Sequence, residues 1–322
     1  MNVRQVLPKD AIPSVDDPTF RRIHEPADEV VVGLEVDGDA RAYPLRYLDY
    51  HEIVNDRVGG VPVAITWCPL CGSAIVYDRR VDDATATDGE RVLSFGVSGK
   101  LADDDLVMYD RETDTEWKQS SGVAIAGPLN GRELTVRPAA VTTWERFTEA
   151  HAEARVLAPP GGRSEAASAG DDPAPITYDE RPYTGYFESD GFGLAARRGT
   201  DDGREWPRDD VDPKTVVLGI ERDGDALGVS LPDLERAGGV ATVTVGGTDA
   251  VVFATDDGIH AFENPDLAFT PTGDGFRADG VTWDGATGRS DDGRTLERLP
   301  ARRLFAFAWR DDHGDDAFWT NG

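Results

Sequence analysis

VVGLEVDGDARAYPLRYL (31–48) lies over VLGIERDGDALGVSLPDL (217–234) with nine of the eighteen positions identical. The match includes the turn Asp37-Gly38-Asp39-Ala40, which recurs as Asp223-Gly224-Asp225-Ala226. Further on, Trp117, Gly122, Gly131, Arg132, Leu134 and Pro138 find counterparts in Trp283, Gly288, Gly293, Arg294, Leu296 and Pro300. Two matches in the same order point to a duplicated unit of roughly 110–130 residues, within the usual size of a domain.

Each unit reads mostly as strands. EVVVGLEV, VPVAITW, SAIVYDR, RVLSFGV and DLVMYD in the first, and TVVLGIE, VATVTVG, DAVVFAT and IHAFE in the second, are short, β-branched or aromatic, and separated by Asp/Gly turns. Helices are few. TTWERFTEAHAEA is one, with Thr142 as its N-cap and Glu145 completing a capping box. A short helical turn is expected after Pro44. The fold class is therefore mainly β, an α+β chain with few helices in two repeated units, sandwich- or barrel-like. The first unit spans 1–157 and the second, degenerate one spans 214–322. Residues 158–213 are a linker and an irregular segment, rich in Pro, Gly and acids, whose YTGYFESDGFG stretch carries aromatics enough to pack.

Charge narrows the setting. The chain has 61 acidic and 33 basic residues, net −28, and only Lys9, Lys100, Lys118 and Lys214 among the basic ones are lysine. Acid-rich, lysine-poor surfaces stay hydrated in molar salt, where a short Debye length screens self-repulsion, so a haloarchaeal origin is expected. No basic patch offers itself to nucleic acid. No apolar stretch approaches a membrane span, and the N-terminus lacks a signal-peptide run, so a cytoplasmic protein is expected.

The two cysteines stand together in TWCPLCGSA (66–74). Cys68 and Cys71, with Gly72 free to take a positive φ, have the form of a metal-binding knuckle between two strands. A thioredoxin-type site needs a helix at the second cysteine, whereas Gly-Ser-Ala-Ile-Val-Tyr follows Cys71 and favours a strand. Three readings stand: a metal pair, a redox dithiol, and buried structural thiols. Two sulfurs do not close a tetrahedral site, so a further ligand is sought among His24, His51, His151, His260 and His313. His51 is the candidate. If DRVGG (56–60) is a hairpin loop placing 55 near 61, His51 stops about three residues, roughly 10 Å, short of Cys68. Its alternative is a satisfied polar residue beside a turn. Glu52 or Asp56 could add a carboxylate. The second unit has Thr255 where Cys68 stands and Gly238 where His51 stands, so thiols and imidazole are absent together from the copy.

Other features read as structural. SFGVSGKL (94–101) fails the phosphate-loop pattern at Ser94 and Leu101. YDRETDTEW (109–117) is a salt-bridge cluster, and Trp117 and Trp283 recur as core residues.

LPKDAIPSVDDPTF, ARAYPLRYLDYHEIVNDRVGGVPVAITWCPLCGSAIVYDR, LSFGVSGKLADDDLVMYDRETDTEW and AIAGPLNGREL, with TTWERF, resemble the domain of unknown function 3179 family of haloarchaea and many bacteria. The resemblance covers nearly the whole chain. It implies that His51, Glu52, Asn55, Asp56, Cys68, Pro69 and Cys71 share the family's signature stretch. Many relatives look exported or lipid-anchored, and Lys118 stands where relatives often carry a small polar residue. The resemblance supplies no activity. The expected centre is copper or zinc on Cys68, Cys71 and His51, with Glu52 and Asp56 as further catalytic candidates. It would act as a metal-dependent oxidoreductase or another small-molecule enzyme, on an unknown small molecule or redox partner. Metal-free thiol–disulfide chemistry and a non-enzymatic metal carrier or assembly module are the alternatives.

Overall fold

The computed structural model describes residues 1–22, 25–83, 89–168, 172–200, 203–273 and 275–321, so His24 lies outside the described residues. The chain is mainly β with short helices. A hairpin of β1 (Val30–Val36) and β2 (Asp39–Pro44) leads into α1 (Leu45–His51). A meander follows, of β3 (Ile53–Val58), β4 (Val61–Cys68) and β5 (Ser73–Asp78). A second meander carries β6 (Phe95–Ala102), β7 (Asp105–Asp110) and β8 (Glu116–Lys118). Then β9 (Ala140–Thr143) returns to pair with β1 and runs into α2 (Trp144–Ala150).

After α3 (Thr184–Glu188) and α4 (Gly193–Arg198), the same order recurs. It comprises β10 (Val216–Arg222), β11 (Asp225–Ser230), α5 (Leu231–Arg236), β12 (Val240–Val245), β13 (Thr248–Thr255) and β14 (Gly258–Glu263). β15 (Gly275–Ala278), β16 (Val281–Asp284), β17 (Arg302–Phe305) and α6 (Ala306–His313) complete it.

The recurrence extends to register. Val31 faces Pro44 as Val217 faces Ser230, and Val58 faces Val61 as Val245 faces Thr248. Gly59 and Gly60 close the one turn at φ 54° and 83°, Gly246 and Gly247 the other at 54° and 75°. These left-handed angles suit glycine pairs in two-residue hairpin turns. Asp39 accepts the Gly59 N–H at 3.3 Å, and Asp225 accepts the Gly246 N–H at 3.2 Å. β9 sets Ala140 against Gly33 and β17 sets Arg302 against Gly219. The helix after each strand then lays an aromatic ring, Phe147 or Trp309, where a Cβ on that glycine would stand. The bare backbone is what lets helix and sheet meet.

The halves interlock. Among the described residues, a six-stranded sheet runs β11-β10-β17-β5-β4-β3, joined across the halves where Arg303 faces Ala74. One core cluster accordingly mixes Cys68, Cys71, Ile75, Tyr77 and Trp117 with Leu304, Phe305, Phe307 and Trp309.

Local expectations need correction in two places. The N-cap of α2 is Thr143, whose Oγ1 accepts the Arg146 N–H at 3.4 Å, while Thr142 pairs with Val31 in the sheet. Glu145 is thus one position early for a capping box. The β3–β4 turn is Gly59-Gly60 alone, so Asn55 faces Ala64 rather than Val61. In the 158–213 stretch the aromatics pack: Tyr183, Tyr186 and Phe192 are buried in the same core cluster. The Tyr186 hydroxyl donates to the Leu70 carbonyl at 2.6 Å. No helix of the described residues is long and apolar enough to cross a membrane.

Adding a methyl group where a ring already lies forces the helix off the sheet. Gly219→Ala and Gly33→Ala are each expected to cost about 1–3 kcal/mol, read as a lower midpoint in thermal unfolding. Gly185→Ala, with open space around its Cβ position, is expected to leave the midpoint unchanged or raise it.

Candidate metal centre and adjoining cleft

β4 delivers Cys68 as its last residue, and the chain turns through Pro69-Leu70-Cys71-Gly72 before β5. Gly72 closes this turn at φ 54°, and its N–H lies 3.4 Å from the Pro69 carbonyl. The knuckle is held from the other half of the fold. The Phe305 N–H donates to the Cys71 carbonyl at 2.7 Å, and the Arg303 guanidinium donates to the Gly72 carbonyl. The duplicate lacks this feature for a simple reason: β13 and β14 join through Asp256-Asp257 alone, two residues fewer than the knuckle.

Both cysteines are unbridged and buried. Their sulfurs and a carboxylate oxygen of Asp105 all lie within 4.8 Å of one another. The Cys71 thiol also lies 3.5 Å from the Asp104 carbonyl, a weak sulfur hydrogen bond. β7 places Asp105 there as its first residue. Asp105 Oδ2 accepts the Ser120 N–H at 2.8 Å, while its Oδ1 is buried with no hydrogen-bond partner. A buried carboxylate oxygen left unbonded is costly, and a cation shared by the carboxylate and the two sulfurs would lower that cost. Burial raises the Asp105 carboxyl to about 6, against the pull of the nearby Lys118 ammonium. Burial pulls Lys118 down, but Asp312 and Asp105 carry it above its ordinary value. Lys118 donates to Asp312 on α6, whose other oxygen accepts from the Ser120 hydroxyl at 2.6 Å. Burial pushes both thiols up, Cys71 furthest because Cys68 adds to the effect.

His51 is not the third partner. It is the last residue of α1, and its two nitrogens are taken by the Pro13 carbonyl at 2.9 Å and the Tyr178 hydroxyl at 2.7 Å. A carbonyl only accepts, so Nδ1 carries the proton and Nε2 accepts from the tyrosine. Burial keeps the ring neutral by lowering its pKa. The observed hairpin register would set position 51 opposite Cys68 if the strand continued. It does not, because the helix runs through His51 and the chain reverses at Glu52.

Asp56 is also remote. It faces Val63, five residues from Cys68 and so about 17 Å along the strand. Its carboxylate accepts from Arg41 at 2.7 and 2.8 Å and from the Tyr43 hydroxyl at 2.6 Å. Those bonds are structural.

Glu52 does reach the thiol side. Its carbonyl accepts the Trp67 N–H at 2.7 Å, and its side chain shares a cleft of about 650 Å³ with Cys68. It sits at φ 57°, a left-handed angle that costs a residue with a Cβ on the order of 1 kcal/mol. The β12–β13 register makes Gly239 its counterpart, at φ 81°. The duplicate thus has glycine where the conformation asks for one, and the first half keeps a strained glutamate. Burial lifts the Glu52 carboxyl to about 8, helped by the Glu165 and Asp105 charges. Tyr183, Leu70, Leu106 and Leu194 supply apolar lining, and Glu165, Lys100, Arg197 and Arg198 supply charge.

Of the five residues singled out from sequence, Cys68, Cys71 and Glu52 converge; His51 and Asp56 do not. Sequence reasoning misses Asp105 and Lys118. The available signal for Asp105 is an acid opening a strand, DLVMYD, that is otherwise almost wholly apolar, hidden in a run of three aspartates.

The family model of a protein of unknown function, DUF3179, matches residues 9–316, and the chain belongs to that family. No curated protein and no solved structure matches it.

The Glu52 proton gives a pH test. Folded, the carboxyl titrates near 8; its ordinary value is 4.5. The folded chain therefore holds the extra proton between those values, and stability falls as pH rises through that window. Glu52→Gln removes the titration. In urea unfolding of metal-free protein it is expected to match the wild type below about pH 5 and to exceed it above about pH 8 by something on the order of 5 kcal/mol. Parallel pH profiles for the two proteins would contradict the assignment.

Proposed function

We propose that Cys68, Cys71 and Asp105 hold a single zinc ion, and that the cleft beside it is the active site of a metal-dependent small-molecule enzyme. The observation that carries this reading is the gathering of two sulfurs and a carboxylate oxygen within 4.8 Å, one Asp105 oxygen being buried and unbonded. Three protein ligands with one position open is the ligand count of catalytic zinc sites. Bound there, the ion would act as a Lewis acid on water or a carbonyl. Replacing the expected imidazole by a carboxylate shifts the preference from copper toward zinc, since the soft-plus-nitrogen set that suits copper is gone. Two thiolates and a carboxylate leave the loaded centre with one excess negative charge, and the Lys118 ammonium stands beside it.

Glu52 is the acid–base candidate of this site. It faces the cleft beside Cys68, in a setting that holds a proton near neutral pH. The Ser120 N–H holds the Asp105 carboxyl in place against the knuckle.

The dithiol alternative draws less support. Reactive thiols need a depressed pKa and access, whereas burial raises both of these. A carrier would hand its metal over at an exposed ligand, and Cys71 and Asp105 are both sealed. We assign the chemistry to the first unit (1–157), with 158–213 roofing its cleft and the second unit (214–322) buttressing the knuckle. An acid-rich, lysine-poor chain of this kind fits a salt-loaded cytoplasm.

Metal content measured on protein purified without chelator tests the site. The wild type is expected to carry about one equivalent of zinc, and Cys71→Ser and Asp105→Ala to lose most of it, while His51→Gln keeps it. Melting curves on each variant show whether the fold survives. Loss in His51→Gln with retention in Asp105→Ala, or a metal-free wild type whose thiols cycle reversibly, would overturn the assignment.

A further inference from the structure

The cleft is roofed by chain that has no counterpart in the duplicate. Glu165, Ala166, Tyr183, Leu194, Arg197 and Arg198 all come from the 158–213 segment between the halves. α4 ends in Arg197 and Arg198, and both are exposed, with no carboxylate partner among the described residues. Arg197 lies over the Tyr183 ring at 5.1 Å, which sets its guanidinium against the cleft wall. Lys100, from β6, adds a third cation to the lining, paired to Glu116 outside it.

The duplicate supplies an internal control. At the place equivalent to Glu52 and Cys68 it has a groove of the same size, about 650 Å³, lined by Gly239 and Thr255. Its charged lining is Glu235, Asp256 and Asp257, with no basic side chain. The first cleft has three basic side chains in its lining where the second has none, in a chain whose net charge is −28.

The apolar part of the lining is equally definite. Ile12, Leu70, Val97, Leu106 and Leu194 give the pocket walls that a fully hydrated ion would not use. A cavity of this volume suits a molecule of metabolite or drug size. The cations and the apolar walls share one pocket with Glu52 and Cys68.

We propose that this cleft binds a small organic anion, a carboxylate or phosphate ester with an apolar body, its charged head held by Arg197, Arg198 and Lys100. The body lies along the aliphatic walls, and its reactive end faces Glu52 and the Cys68 side of the centre. The assignment of a reactive end rests on the metal-centred reading above. The anion subsite itself does not, because the metal ligands contribute none of its cations.

Titration calorimetry with hexanoate, hexyl phosphate and 1-hexanol, at the lowest salt that keeps the chain folded, tests it. At least one of the two anions is expected to bind about tenfold or more tightly than the alcohol, as charge-assisted contacts imply. Arg197→Ala/Arg198→Ala is expected to erase that advantage without changing the melting curve, both side chains being exposed. Leu194→Trp, which fills the pocket, is expected to abolish binding of all three probes. Cys71→Ser is expected to lose metal and keep the anion preference, so the two readings fail separately. Equal affinity for hexanol and both anions, or an anion preference indifferent to the arginine pair, overturns the proposal.

Discussion

Two backbone carbonyls of the cysteine knuckle are held by the other half of the chain, and the centre stands on that contact. A four-residue loop between strands has no ladder of its own, so its carbonyls need outside donors. Phe305 N–H and the Arg303 guanidinium supply them from β17, on Cys71 and Gly72. The same strand runs into α6, whose Asp312 receives Lys118 beside Asp105. The crossing of β17 onto β5 thus braces the loop that carries the sulfurs. The second half therefore has a use even though it carries no thiol.

The energetics explain why so polar a cluster is tolerated inside. Two thiols, a carboxylate, an ammonium and a second carboxylate meet among buried Gln119, Ser120, Ser73 and Thr66. Most of them are satisfied. Gln119 Nε2 donates to the Thr66 hydroxyl at 2.8 Å, and its Oε1 accepts from Ser73. The Tyr77 hydroxyl donates to the backbone carbonyl of Gln119 at 2.6 Å. Within this cluster one Asp105 oxygen is left without a hydrogen-bond partner, an unmet acceptor that a cation would satisfy. The strained Glu52, in the cleft beside Cys68, is a second departure from local rules. Departures that cluster where the duplicate is regular are where function is to be sought.

The fold is legible in the sequence to the level of its repeat. Aspartate–glycine and glycine–glycine turns carry their own backbone requirement, so both hairpins can be read in order from the residues that close them. The helix after Pro44, at Leu45–His51, is legible from its proline. What is not legible is long-range. His51 stands seventeen positions before Cys68, and hairpin pairing alone would bring the two opposite each other. A helix ending at His51, where a strand would have continued, turns the ring toward Pro13 and Tyr178 instead. Asp105 is hidden for a related reason. It reaches the thiols through the packing of two meanders, and its one signal, an acid opening an apolar strand, is masked by the run of three aspartates it ends. The arginines over the cleft are equally silent, because only the folded segment between the halves brings them there.

Zinc-edge X-ray absorption on protein purified without chelator is the decisive measurement. The expected spectrum has a shell of two sulfurs near about 2.3 Å with lighter oxygen ligands near about 2.0 Å, and Asp105→Ala loses the oxygen contribution from protein. A metal-free sample, or a bound metal with no sulfur in its shell, would contradict the zinc centre.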